Sequence, residues 1–297
     1  MNKLMNRKRY IFIFVMPAFL LFVVFMAVPL IMTGIYGLFD YDGIGKMSFA
    51  GIQNYINLFA KDRHFPHAMV NSLILAAASI VIQLTLAFLL AIALNKGIKG
   101  EKFFRTVYFI PVVISTTVIS QLWMKIFNSD YGLLNVFLRL FKGADYNFSW
   151  LTTPSTAFMT TVVAGVWQYI GYYMLIMYAG MKSISPEYYE AAKIDGANGF
   201  QTITKITLPL LAPVIETCVL FALTGSLRSF DFVYIMTNGG PNHASDLPAT
   251  LMYNNLFRRG LYGYGSAQAF FIVFECLIFT FIIKKLFKKA DDNASGI

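Results

Sequence analysis

Long apolar stretches and short polar connections alternate along the 297 residues of the chain. Six stretches stand out, at residues 10–39, 70–94, 106–124, 156–181, 208–236 and 266–283. A helix needs about 20 mostly apolar residues to cross roughly 30 Å of hydrocarbon, and each stretch is of that order. The first four hold no charged residue, whereas the fifth carries Glu216, Arg228 and Asp231 and the sixth carries Glu275. Apolar residues surround these helices nearly completely instead of forming one stripe, as expected in lipid. The pattern predicts an all-α integral membrane protein of six transmembrane helices, with residues 1–297 forming a single transmembrane domain.

Lysine and arginine positions orient the spans. With the N-terminus inside, segments 1–10, 95–105, 182–207 and 284–297 hold fifteen Lys and Arg, against seven in segments 40–69, 128–155 and 237–265. That bias predicts a multi-pass protein with both termini cytoplasmic. Arg7-Lys8-Arg9 before an apolar run also resembles a signal peptide. The run is far longer than the roughly 7–15 residues of such a core, so it reads as the first span.

Composition agrees. Hydrophobic residues make up 57% and charged residues 13%, where a soluble domain carries about 25% charged. The formal charge of +9 follows the inner connections, and no basic patch interleaved with aromatics suggests nucleic acid. Cys218 and Cys276 fall inside apolar runs and read as small hydrophobes. His64, His67 and His243 lie outside the runs, and His64-x-x-His67 reads as solvated loop. No metal site is expected.

Segment 182–207 is the most informative connection. Ser185 suits a helix N-cap, Pro186 the first helical position and Glu187 the positive helix end. Gly196 suits a left-handed stop. A helix–turn–helix on the cytoplasmic surface is expected, leading to Pro209 at the fifth span. Ala191 and Ala192 leave room for another protein's surface, and Glu190 and Asp195 offer carboxylates to a basic partner.

Glu190-Ala191-Ala192, Asp195-Gly196-Ala197 and Ile206-x-Leu208-Pro209 resemble the EAA motif of binding-protein-dependent ABC permeases. Pro17–Pro29 with Phe39-Asp40, and Phe230-Asp231-x-x-Tyr234 through Gly239-Gly240-Pro241, are similar to sugar permeases of the maltose, lactose and glycerol-phosphate type. The resemblance implies a type I ABC importer permease fold with a cytoplasmic coupling helix between spans four and five. It implies one subunit of an ATP-driven carbohydrate importer in a bacterial-type inner membrane. The partners it implies are a second, non-identical permease, two cytoplasmic ATPase subunits and an extracytoplasmic solute-binding protein. No cofactor belongs to this chain, Mg-ATP being held by the ATPase. The loop would seat in the ATPase, with Glu190 making an ionic contact there.

Ionisable residues within spans point to function. On the fifth span Arg228 and Asp231 stand three residues apart and can pair, while Glu216 needs another partner and Glu275 in the sixth span has no visible partner. The opposite face carries Cys218, Ala222, Gly225, Ser226 and Ser229. Such small residues either pack helices closely or widen a pore. The resemblance places Gly225, Ser226 and Ser229 on the substrate path. On the fourth span Gly165, Gln168, Tyr169 and Tyr172 share a face. Rings with hydroxyls beside an amide suit a pyranose, though packing between helices is the competing reading.

Other classes fit less well. An ion-coupled secondary transporter, the alternative, would show internal repeats, and none is visible between residues 10–127 and 156–283. No H-E-x-x-H, paired intramembrane Asp or P-loop is present, so no catalytic role is expected.

Overall fold

The computed structural model describes residues 8–295, with side chains from Phe12 to Lys288. Lys3 and Arg7, counted above in the inner N-terminal segment, lie outside the described residues, as do the side chains of Lys8, Arg9 and Lys289.

Helix α1 (Lys8–Phe22) passes through a π-helical turn at Val23–Ala27 into α2 (Val28–Tyr36), giving a first span of Phe12–Tyr36. Strands β1 (Phe39–Asp40) and β2 (Ser48–Phe49) pair antiparallel, Phe39 opposite Phe49. After α3 (Gln53–Ala60), α4 (His64–Ala78), a π turn at Ser79–Gln83 and α5 (Leu84–Asn95) make the second span. Helices α6 (Glu101–Val113) and α7 (Thr116–Ile126) meet at 98°. Helix α8 (Leu133–Lys142) precedes α9 (Pro154–Lys182). Helices α10 (Pro186–Ile194) and α11 (Gly199–Thr202), then a π turn at Ile203–Thr207, lead into α12 (Leu208–Leu227) and α13 (Asp231–Met236). Helix α14 (Pro248–Tyr253), a π turn at Asn254–Arg258 and α15 (Tyr262–Ser295) complete the order.

Among the described residues, five helical stretches are long and apolar enough to span a membrane, and the bent pair α6–α7 makes a sixth if it counts as one. Two π turns have a local cause. Proline lacks an amide and crowds the carbonyl four residues back. Pro29 and Pro209 each follow a π turn by two residues, and the widened turn accommodates the ring.

Two stretches expected to be continuous are broken. The third divides because Ile114 and Ser115 are extended, with ψ of 138° and 136°, just after Pro111 and the β-branched Val112-Val113. The fifth is interrupted at Arg228–Phe230, where Phe230 leaves helical geometry at φ −138°. The pairing of Arg228 with Asp231 depended on an unbroken helix, and no ion pair joins them.

The chain divides into two compact units. In the first, residues up to Arg63 join Leu251–Val273. No side chain from Phe12 to Tyr36 is buried, so this apolar helix presents its surface outward. Within the unit, a Cβ on Gly34 would lie 2.9 Å from the Phe270 ring. Tyr55 donates to Gly34 O at 3.1 Å, and Asn54 donates to Gly37 O and Phe39 O.

In the second unit, His64–Thr250 with residues from Phe274 on, α9 is central. Its Met174, Met177 and Met181 pack on Leu84, Ala87, Ala91 and Leu94 of α5 and on Leu211, Cys218 and Ala222 of α12. Ala87 and Ala91 are completely buried, as small residues let helix backbones approach in lipid. Gly171 is closer still: a Cβ there would strike the Tyr108 carbonyl. Gln83 donates to Val166 O at 3.0 Å, satisfying a polar side chain between helices.

Candidate functional site

A cavity of about 580 Å³ opens in the second unit where the fifth span breaks. Helix α9 contributes Gly165, Tyr169, Tyr172 and Tyr173, and the end of α12, the break and the start of α13 contribute Thr224, Gly225, Ser226, Arg228, Ser229, Phe230 and Asp231. Ser79 and Gln83 from the second span and Thr116 from the start of α7 complete its polar lining. The volume falls in the usual range for small-molecule sites, roughly 300–1,000 Å³.

Five of the six residues expected on the path line this cavity, and Gln168 does not. It is buried, and its Nε2 donates to Pro111 O at 3.2 Å and Ile114 O at 3.1 Å. Its position on α9 puts it beside the α6–α7 bend, where broken helix geometry leaves carbonyls in need of donors. Gln168 therefore splints the bend.

The small face of α12 is partly packed and partly open. Cys218, Ala222 and Ser226 are buried, and Ser226 donates to Ser79 Oγ at 3.1 Å between the second and fifth spans. Gly225 is exposed, and a Cβ there would meet nothing within 4 Å. Ala222 and Ser226 are thus packed at the cavity's edge, and Gly225 stands open beside them. Ser79, Gln83 and Thr116 were missed because they lie singly in apolar runs, and only the crossing of helices gathers them.

The intramembrane charges separate. Arg228 and Asp231 are exposed and line the cavity. Glu216 is half-buried and forms no ion pair among the described residues. Glu275 is buried, and neither carboxylate oxygen has a hydrogen-bond partner.

The loop is ordered by its own caps. Ser185 Oγ accepts from Glu187 N at 3.4 Å, Asp195 caps the C-terminus of α10, and Gly196 takes φ +73°. Ala197 N donates to Ala192 O at 2.9 Å. Asn198 and Gln201 form a reciprocal capping box that starts α11, and Tyr189 Oη lies 3.4 Å from Thr207 Oγ1, tying α10 to the π turn. Helical backbone then carries on from Gly199 through Ile206, Leu208 and Pro209 to Leu227.

One expectation for the loop changes. Ala191 is exposed, but Ala192 is buried against its own chain, so only Ala191 is open to a partner. The prominent apolar groups are Tyr188, Ile194 and Phe200, 54%, 85% and 75% exposed. Glu190 is exposed at a groove of about 830 Å³ that Lys96, Lys182 and Lys193 also line.

His64 and His67 are exposed as expected, but on a helix instead of in a loop. They lie in the first turn of α4. His64 stacks on His243 at 3.9 Å, and His67 Nε2 is 3.4 Å from Ala244 O. His243 Nδ1 is 2.6 Å from Asp246, which also accepts from Thr250 Oγ1 at 2.7 Å. This network fixes the connection after the fifth span.

Known proteins are similar to this chain over most of its length. Residues 83–291 match the family described as binding-protein-dependent transport system inner membrane component. The trehalose/maltose transport system permease protein MalF of Thermococcus litoralis is 31% identical, over 93% of this chain and 92% of that protein. The multiple sugar-binding transport system permease protein MsmF of Streptococcus mutans is 34% identical, over 93% and 94%. A chain of the crystal structure of a bacterial alginate ABC transporter, in complex with an alginate pentasaccharide-bound periplasmic protein, shares the fold. Its TM-score is 0.82 at 22% identity, with 97% of each chain covered.

Proposed function

The chain belongs to the binding-protein-dependent transport system inner membrane components, the permease subunits of ABC importers, and on that premise we propose that its cavity forms half of a path for a carbohydrate. It is a multi-pass, non-catalytic membrane subunit. The observation that carries the reading is the convergence of Tyr169, Tyr172, Gly225 and Ser229 on one cavity at the break of the fifth span. Tyrosine rings offer a flat apolar face with a polar edge, which suits a pyranose. Sugar permeases among the relatives support the substrate class.

The other half of the path comes from a second, non-identical permease. A solute-binding protein delivers the sugar from outside, and two cytoplasmic ATPase subunits drive the cycle. The loop 182–207 is their contact, with Glu190 and Ala191 offered to the ATPase and Tyr188, Ile194 and Phe200 as apolar anchors. Both termini are cytoplasmic, as the charge bias supports.

Coupling follows from connectivity. From Phe200 to Leu227 the chain is helical and spans roughly 40 Å at 1.5 Å per residue. Tyr189 and the capping box hold the loop to the near end of this rod, and the cavity lies at its far end. ATPase closure that moves the loop therefore moves one wall of the cavity.

Gly225→Leu tests the path. It should abolish most sugar uptake in proteoliposomes, with assembly of the complex and basal ATPase intact, because its side chain enters open space. Wild-type uptake would overturn the assignment.

A further inference from the structure

The break in the fifth span leaves two opposite charges unanswered by each other. Helix α12 ends at Leu227 and α13 opens at Asp231. Arg228 Nε donates to Thr224 O at 3.1 Å, within its own last turn. Its terminal nitrogens bond to no protein group among the described residues, and the Asp231 carboxylate accepts from none. Both side chains are exposed and line the same cavity. Charges at membrane depth are costly and are normally paired or turned to a watery cavity. Here they face the cavity without pairing with each other, where one occupant can meet both.

Meeting both selects a chemical class. A guanidinium only donates hydrogen bonds and a carboxylate only accepts them, whereas a hydroxyl does both. A neutral polyhydroxyl compound can turn lone pairs to Arg228 and protons to Asp231. A uronic acid would satisfy Arg228 but bring a second negative charge towards Asp231, and like-charge juxtaposition discriminates strongly against a ligand. An amino sugar meets the same obstacle at Arg228. We propose that the cavity takes uncharged saccharides, and that Arg228 and Asp231 are the specificity-determining pair that rejects acidic and cationic sugars. The proposal rests on the cavity being the carbohydrate path.

The test uses the purified importer complex without its binding protein, so that the permease's own selectivity is read. Equilibrium binding is measured for a panel of neutral di- and trisaccharides and for digalacturonate and trigalacturonate. Wild type should bind at least one neutral member, with the uronates at least about tenfold weaker. Asp231→Asn should shrink that ratio about tenfold, and Asp231→Glu should preserve it. Arg228→Gln should weaken neutral binding by roughly 10- to 100-fold, the range for a lost hydrogen bond to a charged group. Because the ratio is taken on one preparation, partial loss of folded protein does not change it. Uronates bound as tightly as neutral sugars, or an unchanged ratio in Asp231→Asn, would overturn the proposal. If no saccharide binds, or Gly225→Leu leaves all binding unchanged, the path itself is misassigned and the selectivity falls with it.

Discussion

Gln168 on α9 donates from Nε2 to Ile114 O at 3.1 Å, holding the end of α6 at the point where the chain turns through 98° into α7. A second bond from the same nitrogen reaches Pro111 O. One amide thus serves two carbonyls that the broken helix leaves exposed within an apolar layer. Thr116, which follows the bend, lines the cavity, so the splint also sets the position of a cavity wall.

Gln168→Leu should lower stability of the detergent-solubilised protein. Side-chain hydrogen bonds in membrane proteins average about 0.6 kcal/mol and reach about 1.7 kcal/mol, and two are lost here. Thermal unfolding measures the change. Gln168 itself does not line the cavity, so an unchanged melting temperature with reduced sugar affinity would return it to the path.

Gly225 and Ser226 are adjacent in sequence yet should respond differently to a bulky residue. Ser226→Leu loses the bond to Ser79 and forces apart buried helices, so recovery of assembled complex should fall. Gly225→Leu should assemble normally and fail in transport. Co-purification and uptake on the same preparations separate the two, and equal assembly defects would refute the division of this face.

Ala191 and Ala192 give a matching contrast in the loop. A thiol reagent should label Ala191→Cys in inverted membrane vesicles readily and Ala192→Cys poorly, because one side chain is exposed and the other buried. Ser48→Cys should label only from the outside of intact cells. Labelling of Ala191→Cys from outside would invert the topology. Glu190→Lys should leave insertion intact and abolish sugar-stimulated ATPase activity.

Asp246 should be the most sensitive residue after the fifth span. It is 1% exposed, accepts from Thr250 Oγ1 at 2.7 Å and meets His243 at 2.6 Å. Asp246→Ala leaves His243 without its partner and Thr250 Oγ1 with only the Leu247 carbonyl, and should cost about 1–3 kcal/mol, seen as a lower unfolding temperature. Asp246→Asn keeps an oxygen for Thr250 and should cost less.

Much of this protein was readable from residue order because lipid imposes a single demand. A backbone in hydrocarbon must satisfy its own hydrogen bonds, so long apolar runs become helices wherever they lie in the chain. Local chemistry was equally legible at Ser185, Gly196 and the helix between them, since caps and left-handed stops depend on neighbours in sequence. The breaks were not. Ile114–Ser115 and Arg228–Phe230 lie within apolar stretches, and the first is held by a distant partner, Gln168. The same holds for Ser79, Gln83 and Thr116, which meet the fourth and fifth spans only through helix crossing. Apolar periodicity selects helices but does not choose which helix faces which, because in lipid every face is apolar. Packing of small residues such as Ala87, Ala91 and Gly171, and a few interhelical hydrogen bonds, makes that choice, and with it decides where the cavity lies.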